Sequence, residues 1–229
     1  PTKGSRVLYI LVFPKLHSIT ELDGRVLFDV WRQCILCHLT LWKEGVYHRD
    51  VSPGNLMWYW KDGKRIGVLN DYDLSSLANV QGPQGNERTG TVPFMARELL
   101  TEEGQRGKVK HLYRHDLESF MQGVLLPRKL RPFDEWATLG AIACGEKKLV
   151  FLNNMTASAP PDIDQVTWDF LLDCFLVLKR DADNRYYLRL KRPSRSGECH
   201  QPDADSDFDA FLSKFTSLEG WVELSEPSK

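Results

Sequence analysis

Two β-prone segments separated by an Asp-Gly pair limit what this chain can fold into. The segments are Leu56-Met57-Trp58-Tyr59-Trp60 and Ile66-Gly67-Val68-Leu69, and Asp62-Gly63 lies between them. An Asp-Gly pair in this setting is typical of a tight β-hairpin turn. A hairpin would fold the chain back on itself and bring Asp71, which follows the second segment, close to Asn55, which precedes the first.

A polar run directly before this hairpin contains side chains suited to one chemistry. It reads Tyr47-His48-Arg49-Asp50-Val51-Ser52-Pro53-Gly54-Asn55. Asp50 is suited to orient and deprotonate a hydroxyl group, whereas Asn55 and Asp71 supply oxygen ligands of the kind that Mg²⁺ prefers. A His-Arg-Asp run in isolation is more often a solvated turn, but the hairpin and Asp71 favour a site that binds the phosphates of a nucleotide.

The segments after Asp71 continue this pattern. Asp71-Tyr72-Asp73-Leu74 lies where protein kinases have Asp-Phe-Gly, and Ala96-Arg97-Glu98 lies where they have Ala-Pro-Glu. Between them is a polar, Gly-rich loop that ends in Arg88-Thr89-Gly90-Thr91-Val92-Pro93-Phe94-Met95. The order of these segments along the chain is the order found in protein kinases.

The chain resembles the fungal-type protein kinase family, a branch of the eukaryotic protein-kinase fold, from about Leu8 to Leu126. The resemblance rests on the runs His48–Asn55, Gly67–Leu74, Arg88–Met95 and His115–Phe120. It implies an α+β fold in which a mainly helical large lobe carries a short catalytic β-hairpin. The chain begins at Pro1 and shows neither a Gly-rich phosphate loop nor a Val-Ala-Ile-Lys strand, so we expect it to lack the small lobe.

The resemblance also implies catalytic roles. Asp50 would be the catalytic base, with Arg49 and Asn55 beside it, and Asn55 and Asp71 would bind the metal. Because a guanidinium pairs well with a phosphate, Arg49 could also order a phosphorylated activation segment. The candidate phosphate acceptors in that segment are Ser75, Ser76, Thr89 and Thr91.

The resemblance extends to nucleotide binding and to two structural positions. Backbone groups around Phe13 and Lys15 would contact the adenine of ATP, while Asn55 and Asp71 would bind its phosphates through magnesium. Asp116 would lie at the start of a buried helix that braces the catalytic loop. Arg185 would pair with Glu98 at the end of the activation segment.

The expected reaction is phosphoryl transfer from Mg·ATP to a Ser or Thr hydroxyl of a protein substrate. Two residues depart from the kinase pattern. Ser52 lies where many Ser/Thr kinases have Lys, and Asp73 replaces a Gly that could adopt positive φ at little cost. Two alternatives stay open: a catalytically inactive, pseudokinase-like binding module, and a small-molecule kinase of the aminoglycoside or choline type.

Composition excludes several other classes of function. The hydrophobic share of 42% is that of a globular protein, and 30 basic residues balance 31 acidic ones, so neither nucleic acid nor a membrane surface is an expected partner. No apolar run approaches the ~20 residues that cross a bilayer, and no secretory leader is expected. Five cysteines without a disulfide layout favour an intracellular protein, cytoplasmic or nuclear. We expect Cys34 and Cys37 to be core thiols rather than metal ligands.

We divide the chain into a last small-lobe strand and hinge (1–16), a kinase-like large lobe (17–190), a polar linker (191–206) and a C-terminal helix with a tail (207–229). The pattern predicts no oligomeric state. A strand is predicted over Leu8–Phe13 and a loop over Thr101–Lys110. Helices are predicted over Asp23–Lys43, Asp116–Leu126, Asp134–Cys144, Asp162–Lys179 and Asp207–Leu218.

Overall fold

The computed structural model describes residues 15–77, 90–125, 135–159, 161, 164–191 and 209, and this part of the chain is mostly helical with two small antiparallel sheets. The strands are β1 (His17–Ser18), β2 (Val46–Tyr47), β3 (Leu56–Lys61), β4 (Lys64–Leu69) and β5 (Ser76–Leu77). The helices are α1 (Gly24–Lys43), α2 (Glu102–Gln105), α3 (Tyr113–Leu125), α4 (Ala141–Asn153) and α5 (Gln165–Lys191). This architecture agrees with the predicted α+β, mainly helical class.

The predicted hairpin is confirmed. Strands β3 and β4 pair antiparallel, from Leu56 opposite Leu69 to Lys61 opposite Lys64. The turn residues Asp62 and Gly63 have φ angles of 49° and 73°, the left-handed values that a tight hairpin turn requires at both central positions. Strand β1 joins the other edge of β3 and completes a three-stranded sheet.

Helix α1 packs against this sheet and supports it. Its buried face includes Phe28, Trp31, Cys34 and Ile35, and the apolar spacing of the sequence predicted this helix almost to the residue. Gly67 of β4 lies so close to α1 that a Cβ atom there would be 2.4 Å from the carbonyl oxygen of Val30. The close approach explains why a glycine is present in the middle of a strand.

Cys34 fixes the same contact from the helix side. It is completely buried, and its thiol donates to the carbonyl oxygen of Val68 at 3.5 Å. Cys34 and Cys37 are both free thiols, and Cys37 is partly exposed. Burial raises the pKa of Cys34 to about 12, so this thiol stays protonated and packs as a small apolar side chain. The expectation of a core thiol is confirmed for Cys34.

Several predicted boundaries in the C-terminal half are wrong. The helix expected over Asp134–Cys144 is not continuous: Glu135 and Trp136 are helical, a turn follows, and α4 begins at Ala141 after the N-cap Gly140 and runs to Asn153. The helix expected to end at Lys179 continues to Lys191, the first residue of the predicted linker. The predicted loop over Thr101–Lys110 contains the short helix α2, for which Thr101 provides the N-terminal cap.

Other predicted elements lie outside the described residues. These are the strand over Leu8–Phe13, the linker beyond Lys191 and the C-terminal helix, of which Asp209 alone is described, in helical conformation. Within the described ranges, none of the helices combines the length and the apolar character needed to cross a bilayer.

Candidate active site

His48 joins the two segments that carry the predicted catalytic residues. Its Nε2 donates to the carbonyl oxygen of Asn70 at 2.8 Å, and its Nδ1 accepts from the backbone N–H of Asp50 at 3.3 Å. The ring is buried, and Tyr72 packs against it edge-on at 4.8 Å. Burial lowers the pKa of His48, which keeps the neutral form that these two hydrogen bonds require.

Two hydrogen bonds link Asp50 and Asn55 to the segment that carries Asp71. The side-chain amide of Asn55 donates to the carbonyl oxygen of Asp50 at 2.9 Å, and the backbone N–H of Asn70 donates to the carbonyl oxygen of Asn55 at 2.9 Å. Asp71 follows directly and is exposed. The hairpin therefore brings these three residues into one region, as expected.

Two residues of this region have strained backbone conformations. Arg49 has φ of 69° and Asp71 has φ of 61°, in the left-handed region that non-glycine residues rarely adopt. Such residues often occur at functional sites, where the surrounding contacts overcome the strain. Asp73, in contrast, is not among the described residues with positive φ. The replacement of Gly by Asp at position 73 therefore introduces no strain of this kind here.

Thr91 contacts the carboxylate of Asp50, whereas Asn55 bonds to its backbone carbonyl. The backbone N–H and the hydroxyl group of Thr91 both donate to Oδ1 of Asp50, at 2.8 and 2.9 Å. Gly90, at φ 131°, makes this approach possible, because a Cβ atom there would be 2.9 Å from Met95 and 3.2 Å from the carbonyl oxygen of Arg49. A shallow cleft results, and it is lined by Arg49, Asp50, Val51, Thr91, Met95, Leu99, His111 and Ser119.

The donor set fits magnesium bound together with a nucleotide. Because the side-chain nitrogen of Asn55 donates to Asp50, the side-chain oxygen of Asn55 is available to a metal ion, and Asp71 adds an exposed carboxylate. Magnesium commonly uses one or two protein oxygens together with phosphates and water. The described residues contain no cluster of three or more His, Cys, Asp or Glu that could hold a metal ion without a nucleotide.

The remaining predicted site residues have different surroundings. Arg49 lines the cleft beside Asp50. Lys15 is exposed and precedes β1, which pairs with the hairpin, whereas Phe13 lies outside the described residues. Ser52 is buried, and its carbonyl oxygen accepts from the backbone N–H of Asn55. The catalytic, metal-binding and adenine-binding roles of these residues stay predictions.

Asp116 lies in the first turn of α3, is completely buried and contacts two histidines. Its carboxylate contacts Nε2 of His38 at 2.8 Å and Nε2 of His111 at 2.6 Å. Burial alone would raise the pKa of Asp116, but the two imidazoles hold it well below the ordinary value. His38 is thus a packed histidine. Because His111 also lines the cleft, Asp116 connects the interior with the surroundings of Asp50.

The predicted pair of Glu98 and Arg185 is confirmed. Nε of Arg185 donates to Oε2 of Glu98 at 3.1 Å, and Nε2 of His115 contacts the same oxygen at 3.1 Å. The other ring nitrogen of His115 accepts from the backbone N–H of Leu112. Burial lowers the pKa of His115 to about 4, so the ring is neutral at pH 7. Glu98 therefore attaches the end of the activation segment to both α3 and α5.

Sequence reasoning considered Thr91 only as a candidate phosphate acceptor and did not identify Lys148. Thr91 is 41 residues from Asp50, and no local pattern connects the two. The sequence does contain an indication of Lys148, because this residue lies on the buried face of α4 between Cys144 and Phe151. A lysine at helical spacing within an apolar stripe indicates a cation that needs a buried partner.

Comparison with known families identifies the family of this chain. The model of the family described as "Fungal protein kinase" matches residues 5–125, just over half of the 229 residues. The chain belongs to this family. The match includes α1, the hairpin and all of the residues around Asp50, and it ends with α3.

The relatives of this chain among known proteins include protein kinases. CBL-interacting protein kinase 21 of Oryza sativa subsp. japonica is 30% identical over 125 residues, 53% of this chain and 22% of that protein. The interferon-induced, double-stranded RNA-activated protein kinase of Mus musculus is 26% identical over 111 residues, 48% of this chain and 19% of that protein. The chain thus spans about a fifth of the length of these relatives.

Proposed function

We propose that this chain carries the catalytic loop and substrate platform of an ATP-dependent protein kinase that phosphorylates Ser or Thr residues. One observation carries the proposal: Asp50 is bonded through its backbone carbonyl to Asn55, the predicted metal ligand, and through its carboxylate to Thr91. A catalytic base must be held in place relative to both the nucleotide and the protein substrate, and these two contacts would provide that.

In this mechanism Asp50 accepts the proton of a substrate hydroxyl. The hydroxyl oxygen bonds to the γ-phosphorus of ATP, the bond from that phosphorus to the β-phosphate oxygen breaks, and ADP leaves. Thr91 occupies Oδ1 of Asp50 and thereby orients Oδ2 towards the hydroxyl. Magnesium held by Asn55 and Asp71 would neutralise the charge on the phosphates.

A protein substrate is favoured over a small molecule by the segment that begins at Thr91. It runs past Asp50, and its end is attached to the helical body through Glu98, which contacts His115 and Arg185. A segment fixed at both ends offers an extended surface for a polypeptide next to the base. A small substrate would need no such surface.

The test compares the 229-residue chain with the product of the full coding region of its gene. We expect nucleotide binding to require Mg²⁺, and phosphate transfer to a Ser/Thr peptide library but not to choline or aminoglycosides. Transfer to the small molecules alone would identify the small-molecule kinase. If neither protein binds ATP, the catalytic proposal is wrong and a binding module is supported instead.

A further inference from the structure

Lys148 is a buried cation to which the proposed reaction gives no role. It lies on α4, and 1% of its surface is exposed. Burying an ammonium group costs free energy unless it has hydrogen-bond partners. The partners of Lys148 therefore indicate its role.

These contacts converge on the segment that approaches Asp50. Nζ of Lys148 donates to the carbonyl oxygen of Met95 and, at 2.8 Å, to the side-chain carbonyl of Gln122. The ammonium also lies 5.6 Å from the centre of the Trp136 ring. Gln122 in turn donates to Glu118, which accepts the backbone N–H of Arg97 at 2.8 Å. Lys148 therefore belongs to a buried polar network beneath residues 95–97.

A continuous series of hydrogen bonds leads from Lys148 to the base. The backbone N–H groups of Phe94 and Met95 donate to the carbonyl oxygen of Thr91, at 2.8 and 3.2 Å. Thr91 donates from its own N–H to Asp50. The turn Thr91–Met95 is thus bonded to Asp50 at one end and to Lys148 at the other.

A ligand-binding role for Lys148 does not fit the available space. The cavity beside it has a volume of about 20 Å³, and its lining includes Trp136, Phe151 and Phe175. Such a space holds about one water molecule and no larger ligand. The contacts of Lys148 within the protein therefore account for its position.

We propose that Lys148 is a positioning residue that fixes the turn Thr91–Met95 against Asp50 and so sets the alignment of the substrate hydroxyl. The alignment role rests on the proposed phosphoryl transfer, whereas the fixing of the turn does not.

Amide hydrogen exchange tests the fixing of the turn without any catalysis. Lys148→Met keeps much of the side-chain volume and removes every donor. We expect the amides of Thr91, Phe94 and Met95 to exchange about tenfold faster in this variant, because the turn loses a charge-assisted hydrogen bond. Amides of α1 should be unchanged. Lys147→Met is the matched control, because the side chain of Lys147 is half exposed and pairs with Glu135 at the surface.

Steady-state kinetics on the active protein test the alignment. We expect Lys148→Met to lower kcat/KM for the peptide about tenfold while KM for ATP stays the same, because the predicted nucleotide-binding residues are not in this network. Lys147→Met should match the wild type. An unchanged kcat/KM for the peptide would overturn the alignment role.

The pH profile gives a measurement on the wild type alone, which remains available if the Met variant does not fold. Burial lowers the pKa of Lys148 to about 8, with Glu118 of α3 and Cys144 of α4 favouring the charged form. Two further cations, Arg97 and the α5 residue Lys179, line the cavity beside Lys148. We expect kcat/KM for the peptide to fall as the pH rises through about 8, because the neutral amine donates more weakly. A flat profile from pH 7 to 9.5 would overturn the alignment role.

The two proposals fail in different ways. Unchanged exchange at Thr91, Phe94 and Met95 in Lys148→Met would overturn the fixing of the turn, whether or not the protein transfers phosphate. A second outcome is that exchange is faster in Lys148→Met but the wild-type protein transfers no phosphate. This outcome would support the fixing of the turn. It would overturn the proposed kinase activity and, with it, the alignment role.

Discussion

At the scale of single residues, the two carboxylate oxygens of Asp50 have different surroundings. Oδ1 accepts two hydrogen bonds from Thr91, whereas Oδ2 has no hydrogen bond within the described part of the chain. A base needs one oxygen that can receive a proton and one that fixes its direction. In the proposed reaction, Thr91 would fix the direction of the carboxylate and leave Oδ2 for the substrate hydroxyl.

Asp50→Asn should abolish phosphate transfer and leave nucleotide binding intact. The amide cannot accept the hydroxyl proton, whereas Asn55 and Asp71 are unchanged, so we expect kcat to fall at least about 10²-fold. Peptide phosphorylation and the Kd of ATP are the two measurements. Asp62→Asn makes the same chemical change at the exposed hairpin turn and should have no effect. Normal turnover in the Asp50 variant would remove Asp50 from its role.

Asp71→Asn should weaken the binding of nucleotide in the presence of Mg²⁺. Asn tolerates the left-handed backbone of this position better than Ala, so the substitution removes the charge with little added strain. We expect a roughly tenfold higher Kd for ATP at saturating Mg²⁺, the size expected for one lost charged contact. Calorimetric titrations over a range of Mg²⁺ concentrations measure it. An unaltered Mg²⁺ requirement would contradict the ligand assignment.

At the scale of elements, the packing of the hairpin on α1 fixes the positions of Asn55 and Asp71. Gly67 provides the closest approach, because a methyl group on its Cα would lie 2.4 Å from the carbonyl oxygen of Val30 on α1. Since that oxygen belongs to the helix backbone, it cannot move aside as a flexible side chain could.

Gly67→Ala should therefore destabilise the protein. We expect the free energy of unfolding to fall by about 1–3 kcal/mol, the usual cost of overpacking, measured by urea denaturation. Gly140→Ala is the matched control: a Cβ atom there meets nothing within 4 Å, and the φ of −66° suits any residue. Equal stabilities of the two variants would show that the hairpin can move away from α1.

The sequence predicted some elements better than others for local reasons. The hairpin could be predicted because Asp62-Gly63 specifies its turn directly. The start of α4 could not be predicted, because apolar spacing continues from Trp136 through Leu139 to Cys144 across the turn that ends at Gly140. Periodicity cannot separate two short helical segments that share one phase.

At the scale of the whole molecule, contacts between distant residues hold the site together, and most of them could not be predicted. Asp116 bonds to His38 across 78 positions, and Lys148 bonds to Met95 across 53. The pair of Glu98 and Arg185 was predicted only through the family resemblance. The spacing of motifs along the sequence predicts which residues lie near Asp50. The buried residues that hold them in place depend on how the helices pack, and spacing does not predict them.

The stability of the molecule should fall on acidification, partly through His115. Its folded pKa of about 4 lies below the unfolded value of about 6.5, so the unfolded chain binds more protons between these values. Stability from this group is fully present above pH 6.5 and is lost as the pH falls towards 4. The second proton would displace the hydrogen bond from Leu112 to the ring.

His115→Gln should flatten this part of the stability profile, because Gln does not titrate and can bond to Glu98. Unfolding free energies of both proteins, measured from pH 7 to 4.5, provide the comparison. The wild type should lose more stability over this interval than the variant. Parallel profiles would show that other groups account for the acid sensitivity.

The position of Cys34 provides a natural reporter. A thiol reagent can reach it only when the hairpin separates from α1, since the side chain is fully covered and its sulfur faces the carbonyl oxygen of Val68. The labelling rate of Cys34 should therefore report how often the hairpin separates from α1. If bound nucleotide immobilises the hairpin, it should slow this labelling. The effect of nucleotide on the hairpin could then be measured without any assay of phosphate transfer.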